Sequence, residues 1–189
     1  LGVRVKPPNV LVVGYPRSGN TWLNNLLAYY FNAPYYDAYI ADHNISSGRP
    51  ASEYMFHEPD VLVGGLYRPD EPRTVNAIIK THELPGSLTR QHRLTLDLVS
   101  YEESDPKILI TREPKDVAVS YFYFTFFRQP RRRAHRSTLV PYRVRLWYHL
   151  RRHFESFVLK VAEEWHEHTL AWLAQNPRLV HYEDLLKNP

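Results

Sequence analysis

The sequence predicts an α/β fold, a three-layer α/β/α domain around a central parallel sheet of about four to five strands. Three observations lead there. Four short, β-branched apolar runs read as buried strands. Stretches with apolar residues at three- and four-residue spacing alternate with them, the pattern of a parallel sheet covered by helices. The first run ends in a Gly-containing turn that opens directly into one of those helices.

Residues 9–14, Asn-Val-Leu-Val-Val-Gly, form the first expected strand, and 15–20 a tight loop. A helix is expected over 21–31, where Trp22, Leu23, Leu26, Leu27 and Tyr30 make a stripe. Residues 33–73 show no period and are broken by Pro and Gly, so they read as a long irregular segment with one short helix at most. Strands are expected again at 75–80 and 107–111. Pro114 suits a first helical position, and a helix is expected over 114–127. A longer one is expected over 144–175, with Phe154, Val158, Val161, Trp165, Thr169 and Trp172 inward and Asn176-Pro177 as its stop. The last strand is 178–182, and a helical turn follows.

Composition narrows the function. At 189 residues, 43% apolar and 23% charged, the chain suits one globular domain and excludes a fibrous or largely disordered one. It has no cysteine, hence no disulfide, thiolate metal site or cysteine nucleophile. No run approaches the ~20 apolar residues of a membrane span, and residues 1–8 lack the apolar core of a signal peptide, so a cytoplasmic location is expected. The net charge of +4 is unevenly spread: residues 128–152 hold nine Arg and no acid, and the remaining 15 basic and 20 acidic residues leave the rest at −5. Such a stretch is either a solvated basic segment or a surface for an anionic partner.

The most informative segment is Gly14-Tyr-Pro-Arg-Ser-Gly19-Asn20-Thr21 between a strand and a helix. Backbone N–H groups and the dipole at a helix start favour an anion there. The spacing is that of the phosphate-binding P-loop, but Asn20 stands where a nucleoside-triphosphatase carries Lys, while Thr21 keeps the hydroxyl and Arg17 supplies a cation. The strand at 107–111 is followed by Arg112 rather than ending in a Mg²⁺-holding Asp. Both departures argue against Mg-ATP chemistry. Arg112 and Ser120 could hold one anion together, since a guanidinium matches phosphate geometry. Lys80-Thr-His82 follows another strand, and open α/β sheets bind ligands at the carboxyl ends of their strands. His82 is the side chain suited to accept a proton near neutral pH.

Together these segments resemble the sulfotransferases that use 3′-phosphoadenosine 5′-phosphosulfate, most closely their cytosolic-type branch. Residues 15–22 (YPRSGNTW) look like the family's 5′-phosphosulfate loop, 79–82 (IKTH) its catalytic strand end, and 112–121 (REPKDVAVSY) its 3′-phosphate motif. Trp165, His168, Trp172 and 181–189 (HYEDLLKNP) resemble later landmarks. The resemblance implies a P-loop-like fold. It also implies that Ser18, Gly19, Asn20 and Thr21 cradle the 5′-phosphate and that Trp22 and Tyr182 flank adenine. Arg112 and Ser120 would hold the 3′-phosphate, His82 would be the general base, and Lys80 would stabilise the transferring group. Arg17 would take the place of the family's Lys near the bridging oxygen, with charge but no proton to give. Nothing matches the family's Arg-Lys-Gly clamp, so the chain is expected to be a single sulfotransferase domain over 1–189 lacking its C-terminal part.

The implied cofactor is 3′-phosphoadenosine 5′-phosphosulfate, the product adenosine 3′,5′-bisphosphate, and no metal is expected. The acceptor is expected to be a small-molecule or glycan hydroxyl, with a lean to an alcohol or phenol, bound by variable segments at 33–73 and 122–153. No nucleic-acid partner is expected, and the sequence is silent on oligomeric state. The competing readings are a small-molecule kinase, an inactive cofactor binder, and an arginine-rich nucleic-acid module.

Overall fold

The computed structural model describes residues 7–48, 74–128 and 142–187. In chain order these form β1 (Val10–Val13), α1 (Asn20–Phe31), β2 (Tyr35–Asp37), α2 (Ala38–Ser46) and β3 (Ile78–Thr81). After a 3-10 turn (Pro85–Ser87) come α3 (Leu88–Gln91), α4 (Arg93–Val99), β4 (Lys107–Thr111) and α5 (Pro114–Tyr123). A π-helical turn (Phe124–Arg128) extends α5, and α6 (Tyr142–Leu173), β5 (Arg178–His181) and α7 (Tyr182–Lys187) complete the order. The five strands form one sheet in the order β2-β3-β1-β4-β5, with every pairing parallel. This is the α/β architecture the sequence predicts.

β1 lies at the centre because it is apolar on both faces, as a strand covered by helices on each side must be. Leu11, Val12 and Val13 are fully buried. Alternation then sorts the core into two layers. Leu11 and Val13 join Ile79, Leu109, Leu88, Leu96, Val99 and Trp172 on one face. Val10 and Val12 join Ile78, Ile110, Leu23, Ala28 and Tyr35 on the other. A third cluster of Tyr15, Val117, Ala118 and Val161 packs α5 against α6. Burying each large aliphatic side chain in these layers stabilises the fold by roughly 1.5–3 kcal/mol.

Polar groups close the amino end of the sheet. Asn9, 2% exposed, donates its backbone N–H and its Nδ2 to the Asp105 carboxylate at 3.1 and 2.8 Å. Asn76 Nδ2 donates to Asn9 Oδ1 at 2.8 Å. This clasp ties the starts of β1, β3 and β4 and leaves their carboxyl ends to carry the site.

The segment expected to be irregular at 33–73 is not so at its start. Residues 35–37 are an unexpected edge strand, while 38–46 are the one short helix that the sequence allowed. The strand has only three residues and pairs on one side, too short for any alternation to register. Residues 49–73 lie outside the described residues, as do 129–141 of the arginine-rich stretch. Among the described residues, no helix is long and apolar enough to cross a membrane.

Candidate active site at the carboxyl edge of the sheet

The loop between β1 and α1 is shaped by two glycines. A Cβ on Gly14 would meet Asn20 Oδ1 at 2.4 Å and the Ile110 backbone oxygen at 2.7 Å. Gly19, the N-cap of α1, has φ +100°, and a Cβ there would lie 2.4 Å from the Tyr182 ring. Arg17 also has positive φ, at 75°. The Ser18 N–H closes the turn on Tyr15 O at 3.1 Å. The first turn of α1 carries no acid, so no side chain of that turn offsets the positive end of the helix dipole.

Two arginines border the loop. Arg17 donates from Nε to Ser120 Oγ at 3.1 Å and lies 5.0 Å from the centroid of Phe124, which the π-helical turn presents. Arg112, just past β4, reaches back to Arg17 O at 3.4 Å and stacks on Tyr182 at 4.7 Å. Tyr182 in turn meets Trp22 edge-on at 5.7 Å. Elements from four parts of the chain thus bring Arg17, Ser18, Gly19, Asn20, Trp22, Arg112, Ser120 and Tyr182 to one place. Ser18 Oγ and Arg112 Nε are buried and have no protein partner, although buried polar atoms are normally paired. Both border the loop, so the donor set suits an anionic ligand. Thr21 is exposed in the first turn of α1.

His82 follows β3, which pairs with β1, so it stands beside the same loop. Its Nδ1 lies 2.6 Å from Gly14 O. A carbonyl oxygen only accepts, so Nδ1 carries the proton and Nε2 holds the free lone pair. Asn20 Nδ2 is a second donor on that oxygen, at 2.9 Å, and lies 2.9 Å from His82 Nδ1. Burial, and then the Lys80 charge, lower the His82 pKa from 6.5 to about 4, so the ring is neutral at pH 7. His168 on α6 is likewise lowered to about 4, by burial first and then by His82. The Lys80 ammonium is held by β2: its Nζ lies 2.6 Å from Asp37 Oδ2. Tyr39 of α2 bonds Glu83, the residue after His82, and Trp172 Nε1 donates to Glu83 O at 2.8 Å.

Two features escape sequence reasoning. Asn20 does more than offer a backbone N–H, because its side chain fixes the Gly14 carbonyl to which His82 is tied. Asp37 carries no motif and sits in a strand with no legible period. Glu113, the N-cap of α5, makes no side-chain cap, and its N–H goes instead to Glu183 Oε1 at 3.1 Å.

A glycine-shaped loop, two arginines beside it and a neutral histidine stand together at adjacent strand ends of a parallel α/β sheet, and the family follows from the match of the whole chain. The sulfotransferase domain family model matches residues 7–189, and the chain belongs to that family. Sulfotransferase 1E1 of Bos taurus is 26% identical over 194 residues, covering 97% of this chain and 55% of that protein. Sulfotransferase 1B1 of Mus musculus is 28% identical over 195 residues, covering 97% and 55%. The chain spans about half the length of these curated relatives. A solved sulfotransferase from Alicyclobacillus acidocaldarius aligns with a TM-score of 0.48 at 15% identity, over 98% of this chain and 77% of that one.

Proposed function

We propose that the chain transfers a sulfuryl group from 3′-phosphoadenosine 5′-phosphosulfate to a hydroxyl or amine of an acceptor, with His82 as general base and no metal. The observation that carries this reading is the His82 Nδ1 contact with Gly14 O of the loop between β1 and α1, at 2.6 Å. It leaves a neutral ring with Nε2 as the basic nitrogen, tied to the loop expected to grip the donor.

The orphaned Ser18 Oγ and Arg112 Nε support a fit to a bisphosphorylated nucleotide. The donor, when bound, supplies an activated sulfuryl group whose leaving oxygen belongs to a phosphate. Ser18, Gly19, Asn20 and Thr21 would hold the 5′-phosphate, Arg112 and Ser120 the 3′-phosphate, and Trp22 and Tyr182 the base. Arg17 and Lys80 would face charge that develops as transfer proceeds, as fixed donors that need no reorganisation. Arg17 acts by charge alone, since a guanidinium keeps its protons at neutral pH. His82 Nε2 would take the acceptor proton.

We take 1–189 as part of one sulfotransferase domain, located in the cytoplasm and acting on a small-molecule or glycan hydroxyl. Calorimetric titration tests the reading. Adenosine 3′,5′-bisphosphate is expected to bind without metal and more tightly than adenosine 5′-phosphate or ATP-Mg. Arg112→Ala should weaken the bisphosphate far more than the monophosphate. His82→Ala should abolish sulfuryl transfer and keep bisphosphate affinity. Equal losses for the two nucleotides in Arg112→Ala, or full activity in His82→Ala, would overturn these assignments.

A further inference from the structure

Asp37 ends the edge strand β2, and the parallel register sets it directly across from Lys80 on β3. Its Oδ2 lies 2.6 Å from Lys80 Nζ, and each side chain is only 12% exposed. A pair this far removed from water loses hydration on both groups, and apolar residues of similar volume often stabilise a fold equally well. Stability alone therefore gives little reason to keep a carboxylate here. Its location is more telling. Asp37 stands at the carboxyl edge of the sheet with Lys80 and His82, and Lys80 is a long, flexible cation that adopts one place only when held.

We propose that Asp37 is a positioning residue for sulfuryl transfer: it fixes the Lys80 ammonium beside His82 and the phosphate loop. The inference rests on the function proposed above, in which Lys80 faces the transferring group. Asp37 itself touches neither nucleotide nor acceptor. Its charge also reaches His82, where it favours the protonated ring, as Glu83 does, against Lys80. Among the described residues, His168 of α6 and Tyr39 of α2 also lie near that ring.

Asp37 also immediately precedes α2, so a helix-capping role has to be separated from a charge role. Asp37→Asn does this, because Asn caps a helix as well as Asp and carries no charge. Asp37→Asn should lower kcat by about 10- to 100-fold, the scale of a misplaced catalytic group. Affinity for adenosine 3′,5′-bisphosphate, which lacks the sulfuryl group, should change by less than about twofold. NMR titration of the His82 ring in the free protein should show its pKa moved down. In a Lys80→Met background, Asp37→Asn should cost no further activity, because its partner is gone. Asp37→Ser, another capping residue, repeats the test if the Asn variant misfolds.

A wild type that binds no bisphosphate and transfers no sulfuryl group removes the proposed function and this inference with it. A wild type that does both, beside an Asp37→Asn variant with unchanged kcat and unchanged His82 titration, overturns the inference alone. So does a further loss of activity in the Lys80→Met background.

Discussion

Acidification should destabilise the protein through its buried histidines, and His168 isolates the effect. This residue is 4% exposed, and the His82 backbone beside it favours the charged ring too weakly to offset burial. Its pKa is held at about 4, first by burial and then by the neighbouring His82. In the unfolded chain the same ring titrates near 6.5. Between those values the unfolded state binds the extra proton and the folded state resists it. The contribution is therefore fully present above about pH 6.5 and is lost as pH falls toward 4. A gap of about 2.5 pH units, at ~1.4 kcal/mol each, sets a ceiling of about 3.5 kcal/mol for His168. His82, also lowered to about 4, acts in the same direction. Urea unfolding followed by tryptophan fluorescence at pH 7 and pH 4.5 measures it. His168→Leu removes one titration while the carboxylates common to both proteins cancel. Wild type should lose about 2 kcal/mol more than the variant over that interval. Parallel pH dependences would refute the reasoning, for they would mean that His168 accepts its proton as readily folded as unfolded.

The two ends of the sheet should respond differently to substitution. Gly19→Ala forces a side chain into positive φ and against the Tyr182 ring, so it should cost about 1–3 kcal/mol and weaken bisphosphate binding. Wild-type melting and affinity in that variant would contradict the packing described. Asp105→Ala leaves the Asn9 and Glu102 backbone N–H groups without their acceptor and the Asn9 Nδ2 with Ser100 O alone, so thermal unfolding should show a loss of about 2–4 kcal/mol. It should leave bisphosphate affinity unchanged, because the clasp lies at the amino end of the strands; a large change in affinity would show that the two ends are coupled.

Wherever a local pattern specifies an element, the sequence was sufficient. Lys107–Thr111 is the strand its apolar run predicts, because both faces of β4 are covered. The helix expected over 21–31 begins one residue earlier, at Asn20. The strand expected at 75–80 starts only at Ile78, since backbone pairing, and not apolarity, decides where a strand begins. The helix expected over 114–127 changes at Phe124 into a π-helical turn, which no periodicity announces. Two short helices at Leu88–Gln91 and Arg93–Val99 went unread because neither is long enough to show a face. Within the candidate site, loop spacing and strand ends pointed to Arg17, His82 and Arg112. The Asp37–Lys80 pair depends on the register of two distant strands, which only the assembled sheet specifies.

The strand order has a consequence for how the protein acquires its site. The bonds that assemble the site join residues far apart in the chain: Asn20 and His82 are 62 apart, Arg112 and Arg17 are 95 apart, and Arg17 and Ser120 are 103 apart. The loop's own turn, Ser18 N–H to Tyr15 O and Asn20 Nδ2 to Gly14 O, is local, but no hairpin or single helix can bring these distant partners to it. Sheets dominated by such distant pairings are slow to nucleate, because the entropy of closing long loops is lost before contacts repay it. The proposed nucleotide site should therefore form last and all at once, when the turn from β5 into α7 brings Tyr182 beside Gly19. Nucleotide binding during refolding would then serve as a clock for completion of the whole sheet, and a nascent chain that has not yet released β5 should have no measurable affinity.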